Sequence, residues 1–261
     1  MTHTQLNDLN TLGYTIIQNV VDPKRIHELS RSIDIAFLHH KQIQIQNNSD
    51  IKTEGVALHA LLSSDAFIDF LYTLIENGFI RSLQQNFFKS NCILNSFSAL
   101  NNIPNQPNFS SLVHRDLRFY SGNFPIMINC LVMIDEFTVE NGGTYLLQGS
   151  HLSEDAPTDS EFFDKAVQAT GNSGDILIFN SNVWHAAAPN TTNKDRRAIP
   201  ITISRSFMKQ LLDYPRALGY DKMATYSTEM QQFLGYHSRV PASLTEWYVP
   251  SADKFYKKNQ D

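Results

Sequence analysis

Ile126-Met-Ile-Asn-Cys-Leu-Val-Met-Ile134 is the longest apolar run in the chain, and Asn129 interrupts it. A bilayer-crossing helix needs about 20 apolar residues, so this run is too short to span a membrane. It reads instead as a buried strand. Further β-rich runs flank it at Ile93–Leu100, Leu112–Tyr120, Thr144–Leu147, Asp175–Phe179 and Ala198–Phe207. Ser121-Gly-Asn123, Asn141-Gly-Gly143 and Ser173-Gly174 punctuate them as turns. Many short strands at this density predict an antiparallel sandwich or barrel.

Upstream of these strands the period is helical. Tyr14–Val21 follows Gly13 and reads as a strand, and Asp22-Pro23 then opens an amphipathic helix with Ile26, Leu29, Ile33 and Phe37 on one face. Residues 41–55 are rich in Gln and Asn and predict a loop. A second helical region is expected from about Ser64 to Phe87, with Phe67, Phe70, Leu71, Leu74 and Ile75 as its apolar face. The acidic segment 152–170 reads as an insertion between strands, helical in part. The tail beyond Met208 is broken by Pro215, Pro241 and Pro250. The expectation is one domain over residues 1–261, mainly β with flanking helices (α+β). It divides into a helical part to about residue 90, a β core over about 91–207, and a C-terminal extension from 208 to 261.

Composition narrows the function. The 261 residues carry a net charge of −5, which argues against a nucleic-acid or anionic-membrane partner. Cys92 and Cys130 are the only cysteines, so no disulfide framework is expected. Met1–Asn10 is polar and lacks the apolar stretch of a signal peptide. These features predict a cytoplasmic protein; a small-molecule substrate and a monomer or homodimer are expected beside them.

Val113-His-Arg-Asp-Leu117 places His114 and Asp116 two residues apart. On a strand, such residues share a face, and an imidazole beside a carboxylate supplies two ligands of a facial triad. That geometry suits non-haem Fe(II), because three positions stay open. His185 closes the stretch Gly174-Asp-Ile-Leu-Ile-Phe-Asn-Ser-Asn-Val-Trp-His185 and is the candidate third ligand. Its structural alternative is a hydrogen-bonded histidine beside Trp184. Asn193-Lys-Asp-Arg-Arg-Ala-Ile-Pro-Ile-Thr-Ile203 follows, and an arginine there offers a planar fork for a carboxylate.

Together these motifs carry a resemblance. Val113-His-Arg-Asp116, Ile134–His151 with its Asn-Gly-Gly-Thr and Gly-Ser-His, Gly174-Asp-Ile-Leu-Ile-Phe179 and Trp184-His-Ala-Ala-Ala-Pro-Asn190 occur in the order found in the phytanoyl-CoA dioxygenase (PhyH) family. The opening Leu12–Val21 is also similar, so the likeness runs over about residues 5–208. It implies a double-stranded β-helix (jelly-roll, cupin-like) core and a dioxygenase using Fe(II), 2-oxoglutarate as cosubstrate, and O2. The implied reaction hydroxylates a C–H bond and releases succinate and CO2. His114, Asp116 and His185 match the iron ligands. Arg196, eleven residues past His185, matches the arginine that holds the far carboxylate of the cosubstrate. Its neighbour Arg197 should face the other way.

Two departures stand out. Ala187 replaces a serine often found two residues past the distal histidine, and Leu131 replaces an aromatic. Asn129, on the face of Leu131, is expected to restore a hydrogen bond to the cosubstrate. Retention of Asp116 disfavours halogenation, since related halogenases carry a small residue there. Candidate substrate contacts are Arg118, Tyr120, Asn95, Phe97 and Trp184, with segments 41–60 and 101–110; a surface position past the strand end is the alternative for Arg118. His151 reads as a structural turn residue. The alternative functions are a cupin-type metal enzyme without 2-oxoglutarate and a non-catalytic metal-containing binding protein.

Overall fold

The computed structural model describes residues 1–49, 54–106, 110–258 and 260. The chain runs through α1 (His3–Thr11), β1 (Tyr14–Ile17), α2 (Pro23–Gln46), β2 (Val56–Ala57), α3 (Asp65–Glu76) and α4 (Phe79–Leu83). Next come β3 (Cys92–Phe97), β4 (Ala99–Asn102), β5 (Met127–Met133), β6 (Tyr145–Leu146), α5 (Asp159–Lys165) and β7 (Val167–Gln168). It ends with β8 (Ile176–Asn180), β9 (His185–Ala186), β10 (Arg196–Arg205), α6 (Tyr214–Leu218), α7 (Thr228–Leu234) and α8 (Leu244–Trp247).

Local chemistry explains the helix limits. Asp22 accepts from the Arg25 amide and Pro23 occupies the first turn of α2, where no amide partner is needed. The helix continues to Gln46, six residues into the segment expected as a loop. Lys41-Gln-Ile-Gln-Ile-Gln46 holds no glycine or proline to stop it. The expected single helix from Ser64 to Phe87 is broken instead. Gly78, at φ 79°, separates α3 from α4, and Gln84–Phe88 then form a π-helical turn. Helix α1 escaped the hydrophobic pattern because it buries only Leu9. Its signal was the capping box, in which Thr2 and Gln5 satisfy each other's amides.

The large sheet runs β1-β8-β5-β10-β4-β2, and β3 also pairs with β10. The small sheet runs β7-β6-β9 and is extended by an antiparallel bridge between His114 and His185. Two facing antiparallel sheets with helices on the outside make the double-stranded β-helix expected from the sequence. The Leu112–Tyr120 strand, however, is reduced to that one bridge; Leu117 then donates to the Ser181 carbonyl at 3.0 Å.

Alternation along the strands divides the interior in two. Ile128, Cys130, Val132, Ile199, Ile201 and Ile203 face outward and pack with Leu29, Ile33, Phe67, Phe70 and Leu71 of the helices. Each such side chain, fully buried, contributes about 1.5–3 kcal/mol. Leu131, Met133, Leu177, Phe179 and Ala198 face inward, with Phe137, Leu146 and Val183. No helix among the described residues is long and apolar enough to cross a membrane.

Candidate active site

β9 and the bridge opposite it bring three chemical groups together. Ligand atoms of His114, Asp116 and His185 all lie within 4.8 Å of one another. The Asp116 carboxylate stands 3.6 Å from Nε2 of each histidine. Neighbouring ligands about 2.1 Å from one octahedral ion stand roughly 3 Å apart, so a small inward adjustment would close the set. Each imidazole is aimed by its own backbone. Nδ1 of His114 lies 2.7 Å from the Leu112 carbonyl, and Nδ1 of His185 lies 3.0 Å from that of Val183. A carbonyl only accepts, so Nδ1 carries the proton and Nε2 keeps its lone pair for a metal. Burial, above all, lowers the pKa of His185, with Asp116 opposing and His114 adding to the shift; the ring is held neutral. Side-chain exposure is 31% for His114 and 35% for Asp116 but 8% for His185, so the cluster opens on the Asp116 side.

Asn129 corrects one expectation. Its Nδ2 donates to Asp116 Oδ2 at 2.7 Å and to Ser181 Oγ at 2.9 Å, while Thr202 Oγ1 donates to its Oδ1 at 2.9 Å. These bonds engage its amide in orienting the carboxylate rather than in waiting for a cosubstrate.

A cavity of about 180 Å³ adjoins the cluster, and Asn129, Leu131 and Arg196 all line it. Arg196 is 3% exposed. Its Nη2 donates to the Gly142 carbonyl at 2.8 Å, its guanidinium lies 4.1 Å from the Phe137 ring centroid, and its Nε has no partner among the described residues. Burial brings its pKa down to about 10, partly offset by Asp135. Arg197 faces away and fastens Asp135 through Nε at 3.0 Å and Nη2 at 3.1 Å, and it also reaches Ser30. Gly142, at φ 91°, is required here, because a Cβ would collide with Asn102 and the Ala188 carbonyl.

The candidate substrate contacts lie elsewhere. The register between β3 and β10 shifts between Thr202 and Ile203, leaving Asn95 as the extra residue of a bulge. The bulge reverses the alternation, so Phe97 packs against Phe67 in the outer core. Asn95 bonds Ser204 and the Lys209 carbonyl. Arg118 is exposed, Tyr120 donates to the Leu152 carbonyl, and Trp184 stacks under Arg115; none of these five lines the cavity. Of the two segments, Val56, Leu58, Asn102 and Ser110 do line it, while residues 50–53 and 107–109 lie outside the described residues. Ser98, Leu100, Thr144, Pro200 and Thr202 were missed. Stepping by two from Arg196 along β10 would have found Pro200 and Thr202. His151 is buried with Nε2 3.1 Å from the Asn10 carbonyl, where it braces the turn at Gly13.

The family model for phytanoyl-CoA dioxygenase (PhyH) matches residues 9–198. An uncharacterized protein of Mycobacterium tuberculosis is 29% identical over 258 residues, which span 97% of this chain and 93% of that protein. Dioxygenase FUM3 of Gibberella moniliformis is 26% identical over 255 residues, covering 88% of this chain and 81% of that one. Among solved structures, the non-haem alpha-ketoglutarate-dependent carbocyclase SnoK from nogalamycin biosynthesis shares the fold. Its TM-score is 0.58 at 16% identity, over 78% of this chain and 84% of that one.

Proposed function

The chain belongs to the phytanoyl-CoA dioxygenase family, and from that membership we propose a non-haem Fe(II) dioxygenase that consumes 2-oxoglutarate and O2. It hydroxylates a C–H bond of a small molecule and releases succinate and CO2. The chain acts as one domain. One observation carries the cosubstrate assignment: a buried arginine with an unpartnered Nε lines the cavity that His114, Asp116 and His185 also line. A buried guanidinium without an anion is costly, and a dicarboxylate anchored on the ion supplies the missing charge.

His114 and His185 would hold the ion through Nε2, and Asp116 through its carboxylate. When bound, the iron and cosubstrate supply the oxidising chemistry. Everything else falls to the side chains present. Arg196 fixes the far carboxylate, with Thr144 on the cavity wall as a neighbouring hydroxyl. Gly142 and Phe137 hold the guanidinium in its plane. Leu131, Pro200 and Phe179 wall the space between with apolar surface and keep water out. Asn129 keeps Asp116 facing the histidines.

Anaerobic titration of the metal-free protein with Fe(II) and 2-oxoglutarate, followed by visible absorbance, tests this. Wild type should develop a weak charge-transfer band. His185→Ala should lose it, and Arg196→Ala should need far more cosubstrate to reach it. Bound iron with no band at saturating cosubstrate would overturn the 2-oxoglutarate assignment.

A further inference from the structure

Among the described residues, no charged side chain lines the part of the cavity that the proposed cosubstrate leaves open. Inward residues of β10 run Arg196, Ala198, Pro200, Thr202. Arg196 pairs with Asn102 at one end, and Thr202 pairs with Asn129, beside Asp116, towards the other. A dicarboxylate reaching from the ion to Arg196 therefore lies along β10 and β5. The β2–β4 edge adds a side lobe of Val56, Leu58, Ser98 and Leu100, with Ser110 from the segment before His114. Among the described residues, the ionisable groups lining the cavity are His114, Asp116, His185, Arg196 and the buried, neutral thiol of Cys130, and the first four would be taken by iron and cosubstrate. None of those four stands in the lobe.

We propose that the substrate presents an uncharged, predominantly apolar face to this lobe, with one hydroxyl or carbonyl meeting Ser98. This rests on the 2-oxoglutarate reading above, because that reading assigns Arg196 elsewhere. The Ser98 side chain makes no hydrogen bond among the described residues, although its amide donates to the Pro200 carbonyl at 2.9 Å. Ser98 and Ser110 are the two hydroxyls of an otherwise aliphatic wall, and Ser110 is already engaged. A charged group placed against Val56, Leu58 and Leu100 would lose its hydration with nothing to replace it.

The wall is set in advance. Val56 and Ala57 pair with Leu100 and Ala99, and the Gly55 carbonyl accepts from Asn101 at 2.7 Å. His59, at φ 61°, is fixed by Tyr214, whose hydroxyl lies 3.2 Å from Nδ1. The size of the cavity adds to the assignment. At about 180 Å³ it is smaller than the roughly 300–1,000 Å³ of sites that enclose a whole drug-sized ligand. The substrate thus inserts its reacting end and continues over Leu58, 47% exposed, and Leu112, 78% exposed between the lining residues Ser110 and His114.

Three matched probes test this on protein loaded with redox-inert Zn(II) and 2-oxoglutarate: cyclohexanol, cyclohexanecarboxylate and cyclohexylammonium. Dissociation constants come from saturation-transfer NMR. Cyclohexanol should bind about tenfold or more tightly than either ion. Leu58→Asp, at a half-exposed position that tolerates polarity, should weaken cyclohexanol about fivefold. Ser98→Ala should weaken cyclohexanol but leave methylcyclohexane unchanged. Equal or tighter binding of an ion, no binding of any probe, or indifference to Leu58→Asp would each overturn the proposal. The dissociation constant of 2-oxoglutarate is measured separately in the same samples. Its failure to bind, with the preference for cyclohexanol intact, would remove the cosubstrate reading and leave the lobe standing.

Discussion

Asn129 Nδ2 stands 2.7 Å from Asp116 Oδ2, and that bond links the strand core to the exposed edge of the candidate metal set. The backbone around Asp116 is not held in a ladder, since only His114 bridges to β9. The amide from β5, itself fixed by Ser181 and Thr202, therefore sets the direction of the carboxylate. Outer groups of this type typically alter metal affinity by about 10- to 100-fold. Asn129→Leu, close in volume and unable to donate, should weaken Fe(II) binding within that range while the thermal unfolding temperature of the metal-free protein changes little. Calorimetric titration with metal reads the effect; wild-type affinity in the variant would show that Asp116 is oriented by something else.

Adjacent arginines separate two roles that the sequence ranks by the family resemblance and by strand alternation. Arg196 is buried and lacks a bonded carboxylate partner; Arg197 is partly exposed and grips Asp135. Arg196→Lys keeps a charge but loses the planar fork, so the 2-oxoglutarate dissociation constant should rise by about tenfold or more. Arg197→Ala should leave that constant within about twofold and lower stability by about 1 kcal/mol or less, as partly exposed ion pairs do. Cosubstrate titrations and urea unfolding of both variants provide the check. The reverse pattern would exchange the two assignments.

The strand runs, the turn glycines and the ordered motifs were enough to read the β core and the three clustered side chains. Those signals are periodic or local. What escaped was what a single residue can displace. One extra residue at Asn95 turned Phe97 from the cavity to the helix layer. Gly78 divided what looked like one apolar helix. His114 and Asp116 converge although almost no strand forms there, because Asn129 and the bridge to His185 replace the ladder. The cavity wall from β2 came from a two-residue strand too short to leave a pattern.

Cys92 and Cys130 are both almost completely buried, and burial raises their thiol pKa far beyond the ordinary range. The thiolate is the reactive form, so native protein should resist an aromatic disulfide reagent for hours at neutral pH. Both thiols should react after unfolding in guanidinium. Rapid reaction of either in the native protein would mean that the outer core opens locally.

Five histidines set the acid limit of the metal-free protein. His40, His59, His151, His185 and His237 all have pKa values lowered from 6.5, with burial the largest cause in each. The sign follows directly. Below about pH 6.5 the unfolded chain takes up protons that the folded chain refuses, so stability falls as pH falls through that value. Glu161 is lowered too, held below 4.5 by the Thr158 amide and hydroxyl, and it adds its loss only at lower pH. The urea midpoint should therefore drop between about pH 7 and 5.5, before carboxylates titrate. A metal on His114 and His185 blocks proton uptake at both Nε2 atoms in the fold while the unfolded chain still protonates, so Zn(II)-loaded protein, more stable at pH 7, should lose more over the same interval. Unfolding curves at three pH values, with and without metal, decide the matter. A midpoint that is flat or rises towards acid would show that these rings are already charged in the fold.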